Sequence, residues 1–262
     1  MTFTSERLRT VGIATLGIVT VLAVWWLLAA TFLSTSVPTP IEVLSKFHER
    51  GFAYYRGIFS VTLQEAVTGY VYGVVIALLL AVLVLLVPIL EPVIMQFAVI
   101  TYCLPIVVLA PILILAHEIP VKGGTSATAI DLAAISVIFT TVVGAVLGFR
   151  SADKAALDVV HVYGGGSVQQ FFRVRLVAAL PAILTTLQLA APAAFLGALL
   201  GEWFDKHLEI GVGPSLYLAQ NNREIALAWS LGFGCALVSG LAYFLIGALS
   251  RFVTPWSKGT AR

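Results

Sequence analysis

The sequence predicts an all-α, polytopic membrane protein with six transmembrane helices and both termini in the cytoplasm. Three observations carry that prediction. Of the 262 residues, 60% are hydrophobic and only 11% are charged, where a soluble domain carries about 25% charge. The mean hydropathy is +1.01. Apolar stretches close to the ~20 residues that cross a bilayer recur at about 11–33, 61–87, 93–116, 127–148, 176–201 and 225–249. Residues 1–262 therefore read as a single transmembrane domain, with one long connection at 151–175.

The spans differ in detail. Arg7 and Arg9 precede the first. Its apolar run exceeds the roughly 7–15 residues of a signal-peptide core, so it reads as an uncleaved helix. The second span holds Glu65 near its start, and the fourth holds Asp131 near its start. The third carries Pro105 and Pro111, and the fifth Pro181 and Pro192. Membrane helices tolerate proline where neighbours satisfy the freed backbone groups. Pro181 fits a first turn, where the missing N–H costs little. The last span is clean. Trp25, Trp26, Trp203 and Trp229 read as interfacial anchors.

An even number of spans puts both ends on one side. Nine basic residues, among them Arg7, Arg9, Arg150, Lys154, Lys258 and Arg262, then face six on the other side, among them Lys46, Lys122 and Lys206. The positive-inside rule makes the richer side cytoplasmic.

The net charge of +2 gives no reason to expect nucleic acid as a partner. Cys103 and Cys235 lie in apolar runs and read as small buried hydrophobes rather than a disulfide framework. His48, His117, His161 and His207 are scattered, without the spacing of a zinc site. The chain shows no internal repeat, so an inverted-repeat secondary transporter gains no support. Glu65 and Asp131 are the acids placed within spans. Such acids face a cavity or a partner, though interfacial placement accounts equally for both. Thr101 and Tyr102 are polar enough to line a path, and helix packing by their hydroxyls is the alternative. With no Lys or Arg in a predicted span, nothing points to a tight anion site.

The connection at 151–175 breaks the apolar pattern. "SADKAALDVVHVY" reads as a short amphipathic helix with Ser151 as N-cap. Gly164 stands where a helix ends in a left-handed turn. Gly165 and Gly166 give freedom to turn. Ser167 and Gln170 have capping-box spacing at the head of a second helix. Val168, Phe171 and Phe172 share one face of it. Arg173 and Arg175 read as snorkelling residues just inside a span. The run of glycines is not a phosphate loop, because no G-x-x-x-x-G-K-[ST] is present, so the chain is not expected to bind ATP. The apolar faces need cover, from the headgroup layer, the other cytoplasmic ends, or another protein.

This connection resembles the coupling motif of permeases of binding-protein-dependent ABC importers: Glu-Ala-Ala, three residues, Gly, nine residues, Ile-x-Leu-Pro. Asp158, Val159 and Val160 occupy the Glu-Ala-Ala places, and Gly164 keeps its spacing. Val174 stands for Ile, Leu176 matches, and Val177 replaces Pro. "VPTPIEVL", "YCLPIVVLAPILILA", "LVAALPAILTTLQLA" and "GALLGEWFDKHLEIGVGPSL" resemble, in order, the sulfonate/nitrate/taurine-type branch. The resemblance implies a transport subunit of an importer in the bacterial inner membrane, not an enzyme. It implies ATP and Mg on partner ATPase subunits and no cofactor on this chain. Its partners would be those ATPases, a second permease copy or paralogue, an extracytoplasmic substrate-binding protein and membrane lipid. The implied solute is a sulfonate, taurine, nitrate or a pyrimidine-type thiamine precursor. The implied coupling residues are Asp158, Val159, Val160, Gly164, Gly165, Phe171 and Phe172. The translocation path would draw on Thr101, Tyr102, Glu65 and Asp131. The rival readings are a stand-alone secondary transporter or channel, which wants paired ionisable groups at mid-membrane, and a membrane enzyme, which wants clustered polar side chains.

Overall fold

The computed structural model describes residues 2–31, 36–120 and 123–256. Lys122, Lys258 and Arg262 lie outside them. The described residues form α1 (Thr2–Thr31), α2 (Pro40–Leu86), a 3-10 turn (Pro88–Leu90), α3 (Glu91–Cys103), α4 (Ile106–Ala116), α5 (Ala127–Arg150) and α6 (Lys154–Val162). They continue with α7 (Ser167–Gln170), a π-helical turn (Phe171–Arg175), α8 (Leu176–Phe204), α9 (Val212–Asn221) and α10 (Ile225–Val253). No strand occurs among them. Five helices are long and apolar enough to cross a membrane, and six crossings result if the bent pair α3–α4 counts as one.

The chain divides into two units, residues 1–56 with 216–234, and residues 57–215 with 235–262. In the first, Trp25 stacks on Trp229 at 5.9 Å and packs on Phe233 at 5.3 Å. Its indole N–H donates to the Pro38 carbonyl at 3.1 Å. Trp25 and Trp229 thus build an aromatic cluster rather than two separate anchors, while Trp26 stays 55% exposed. Helix α2 starts with a reciprocal cap. The Thr39 N–H donates to Glu42 at 2.7 Å, and the Glu42 N–H to the Thr39 hydroxyl at 3.3 Å, with Pro40 in the first turn. Gly51 interrupts α2 at φ 71° and ψ 160°, a conformation essentially reserved for glycine. The polar lead-in is thereby set off from the apolar span.

The second unit is a core of α2, α5 and α8. Ala77, Ala81, Val142, Ala145 and Ala179 meet in one cluster, and Ala66, Ala133, Ala190 and Ala194 in another. Lipid tails are as apolar as leucine, so burying leucine gains little. Close contact between small residues holds the helices instead. A Cβ on Gly201 would sit 2.4 Å from the Ala129 Cα, so α5 and α8 touch backbone to backbone there. Helix α5 is central, with 61% of its apolar window buried against 6% for α1.

The predicted third span is not one helix. Helices α3 and α4 meet at 98°. Leu104 has ψ 124° and Pro105 ψ 118°. A residue before proline is pushed out of the helical region, and proline offers no N–H to continue the ladder. The pair still carries the chain across. Glu91, at the head of α3, is hydrogen-bonded to Arg150 at the end of α5. His117, just after α4, lies 2.7 Å from Asp131 at the start of α5. The two ends of the pair thus meet opposite ends of one helix.

Two further expectations change. Pro181 lies inside α8, which begins at Leu176. Cys103, expected to be buried, is exposed, and Cys235 is only partly buried.

Candidate functional site

Helices α6 and α7 form a hairpin at the pole where α5 ends and α8 begins. The cap of α6 is Asp153, whose carboxylate accepts from the Ala155 N–H at 3.2 Å. Ser151, the expected cap, closes α5 instead, and its hydroxyl donates to the Gly148 carbonyl at 2.7 Å. Gly164 has φ +78°. Its N–H donates to the His161 carbonyl at 2.9 Å, and the Gly165 N–H reaches the Val160 carbonyl at 2.8 Å. These are the paired bonds of a Schellman ending, as the glycine at this position predicts. Gly165 is buried for a different reason, since an added Cβ would lie 2.5 Å from the Val160 Cγ1. It is held by packing rather than supplying freedom to turn.

The expected capping box at Ser167 does not form. The cap of α7 is Gly166, with no side-chain bond. The Gln170 amide donates across the hairpin to the Leu157 carbonyl at 3.3 Å and braces the two helices. The two phenylalanine rings touch edge to face at 5.1 Å but differ in burial. Phe171 packs on the core, its ring 5.5 Å from that of Phe149. Phe172 points outward, 60% exposed. Both lie on the π-helical turn Phe171–Arg175.

The hairpin presents a mixed surface, with polar Asp153, Lys154, His161, Ser167 and Gln169 exposed beside large apolar side chains. Val159, Val162, Tyr163, Val168 and Phe172 are all exposed, Val162 at 82% and Tyr163 at 88%. Asp158 is exposed and Val160 half-buried. Val162 and Tyr163 were absent from the sequence-derived set. Their signal was available, because large apolar residues just before a helix-ending glycine sit at the tip of the hairpin. Arg173 is exposed and Arg175 half-buried.

The opposite pole is polar inside. Glu202, placed beyond the fifth span by the sequence reading, lies within α8 at 1% exposure. Its carboxylate accepts from the Thr62 hydroxyl at 2.7 Å and from the Gly213 N–H in the first turn of α9 at 2.7 Å. The Thr62 oxygen in turn accepts from the Val212 N–H at 3.0 Å. A carboxylate at a helix N-terminus complements its free N–H groups and dipole. Gly213 allows the approach, since a Cβ there would meet Glu202 at 2.5 Å. Beside this clasp, Glu65 accepts from the Ser126 N–H at 2.5 Å, and the Ser126 hydroxyl donates to Asp205 at 2.9 Å.

The four path residues occupy separate environments. Glu65 is 0% exposed and belongs to this buried cluster. Asp131 pairs with His117. The Thr101 hydroxyl donates to the Phe97 carbonyl of its own helix at 2.8 Å. Tyr102 is 67% exposed and stacks on Phe139 at 4.5 Å. No group of three or more His, Cys, Asp or Glu among the described residues could hold a metal ion.

Comparison with known proteins agrees with this architecture. The chain is 27% identical over 244 residues to a probable ABC transporter permease protein of Haemophilus influenzae, covering 92% of this chain and 96% of that one. It is 23% identical over 222 residues to the formylaminopyrimidine transport permease protein ThiX of Halalkalibacterium halodurans, covering 85% and 86%. Residues 58–258 match the family model described as binding-protein-dependent transport system inner membrane component. The chain, with five to six apolar helices and a braced hairpin among its described residues, belongs to that family of multi-pass inner-membrane ABC permeases.

Proposed function

We propose that this chain is the permease subunit of an ATP-driven importer for a small solute, and that the α6–α7 hairpin is where a cytoplasmic ATPase subunit engages it. The observation that supports this most is the exposed apolar rim of Val159, Val162, Tyr163, Val168 and Phe172 on a hairpin braced by the Gly164 turn and Gln170. Large apolar side chains held exposed on a braced support mark an interaction surface. Asp158 adds a polar edge. Phe171, packed on Phe149, ties the hairpin to α5, so a displacement imposed on the rim reaches the helices as a rigid-body movement. ATP and Mg belong to the ATPase partner. A second permease copy or paralogue and an extracytoplasmic binding protein complete the assembly.

Among the solutes of this branch, the relative named for formylaminopyrimidine favours a pyrimidine-type compound over sulfonate or nitrate.

The test is co-purification. The tagged chain, expressed with its candidate ATPase, should retain it. Tyr163→Asp, at a position 88% exposed, should leave abundance and membrane insertion unchanged and lower ATPase retention by about tenfold or more, since one desolvated charge costs more than 1.4 kcal/mol. Equal retention by Tyr163→Asp and the unaltered chain would overturn the assignment of the rim.

A further inference from the structure

At the hairpin pole a cavity of about 210 Å³ opens where α2 ends, α5 ends and α8 begins. Its floor is apolar, built by Ala81, Val84, Val146 and Phe149, and its rim carries Arg150 and Arg175. Glu91 pairs with Arg150. Arg175 has no ion pair or hydrogen bond among the described residues, although it is half-buried. Two guanidinium groups with one carboxylate leave the cavity with an excess positive charge. The volume falls below the roughly 300–1,000 Å³ of sites that enclose a drug-sized molecule. A headgroup-sized anion suits it, with any attached chain lying outside. Apolar surface for such a chain adjoins it: Leu86 and Ile89, flanking the lining residues, are 72% and 82% exposed.

We infer that Arg150 and Arg175, over the floor of Ala81, Val84 and Val146, bind the phosphate headgroup of an anionic phospholipid at the root of the hairpin. Several features favour lipid over a soluble anion. The cavity lies at the ends of three helices long and apolar enough to cross a membrane, where a headgroup layer would meet it. Leu86 and Ile89, next in sequence to the lining Leu85 and Pro88, are exposed apolar side chains, which a free phosphate does not need. Basic pockets between helices at this depth are suited to anionic headgroups, and arginine's planar fork matches phosphate oxygens. Arg175 stands at the end of the π-helical turn that joins the hairpin to α8, and Phe149 of the floor carries Phe171. A headgroup clamped there would hold the root of the hairpin in place. The inference requires that the chain span a membrane, not that the hairpin dock an ATPase.

The test uses the full chain purified in neutral detergent and fluorescent phosphatidylglycerol as probe. The unaltered chain should bind it saturably and should not bind phosphatidylcholine. Arg175→Gln and Arg150→Gln should each weaken binding about tenfold or more, the scale of a charge-assisted hydrogen bond. Arg173→Gln, exposed and not lining the cavity, should leave it unchanged, which separates the site from general charge attraction. Glycerol phosphate at millimolar concentration should not displace the lipid. Unchanged binding by both cavity variants, equal binding of phosphatidylcholine, or complete displacement by glycerol phosphate would overturn the proposal. Should Arg175→Gln misfold, Arg175→Lys offers a second reading: it keeps the charge, loses the fork, and should bind at intermediate strength. Loss of ATPase retention in Arg175→Gln with lipid binding intact would also overturn it, giving the residue to the protein partner.

Discussion

Three adjacent glycines at the hairpin tip show how differently one residue type is used. Gly164 is set by its dihedral: φ +78° with nothing within 4 Å of an added Cβ. Gly165 is set by space, and Gly166 by neither, since its φ is −81° and its surroundings are open. Gly164→Val should therefore cost about 1–2 kcal/mol of local backbone energy and undo the turn. Gly166→Ala should be neutral. At equal membrane abundance, Gly164→Val should lose ATPase retention and gain protease cleavage in the hairpin, while Gly166→Ala matches the unaltered chain. Indistinguishable behaviour of the two variants would show that the turn is not needed. At the other pole Glu202 carries a similar prediction. Glu202→Ala leaves the buried Thr62 hydroxyl and Gly213 N–H without their acceptor, a loss of about 2–4 kcal/mol. Glu202→Gln keeps one acceptor oxygen and should lose less. Thermal unfolding in detergent should rank them Ala below Gln below unaltered.

Between elements, the helix contacts depend on absent side chains. Gly201→Ala places a methyl against the Ala129 backbone at 2.4 Å, which cannot move aside as a flexible side chain would. Overpacking of this kind costs about 1–3 kcal/mol. Gly240→Ala, in open surroundings in α10, should be neutral or slightly stabilising, because alanine favours helix by up to about 1 kcal/mol. A melting comparison in which the two variants shift equally would refute the close α5–α8 contact. The apolar length of α5 and α8 was plain in the sequence, but not which glycines lay in contact, because that depends on the rotation of two helices about their axes. Capping signals show the same divide. Thr39–Pro40–Glu42 forms a true reciprocal cap, while Ser167 and Gln170, with matching spacing, do not. The difference lies in where the chain comes from: Gly166 already occupies the cap position, and Gln170 finds a better acceptor across the hairpin. The break at Pro105 was hinted at by composition, but its 98° angle comes from two consecutive extended residues.

For the whole molecule, the number of crossings decides which side each pole faces, and the bent pair is the element on which it turns. Read as a re-entrant loop, α3–α4 would return to its starting side. Read as a crossing, it joins the Glu91–Arg150 pole to the His117–Asp131 pole, as its end contacts require. The basic residues Arg150, Lys154, Arg173 and Arg175 then gather at the hairpin pole, which the positive-inside rule places in the cytoplasm. Site-directed labelling tests this directly. Cys103 and Cys235 are first replaced by serine or alanine, so that only the introduced cysteine can react. Tyr163→Cys, at the hairpin tip, should then be protected from a membrane-impermeant thiol reagent in intact cells and react after permeabilisation. Glu118→Cys, beside the His117–Asp131 pair, should react in intact cells. Ile89→Cys, 82% exposed ahead of α3, decides the bent pair: a crossing makes it behave as Tyr163→Cys does, whereas a re-entrant α3–α4 would put it on the side of Glu118. Reversal of all three results would keep the crossing and invert the orientation, moving the rim of Val162 and Tyr163 out of reach of a cytoplasmic ATPase.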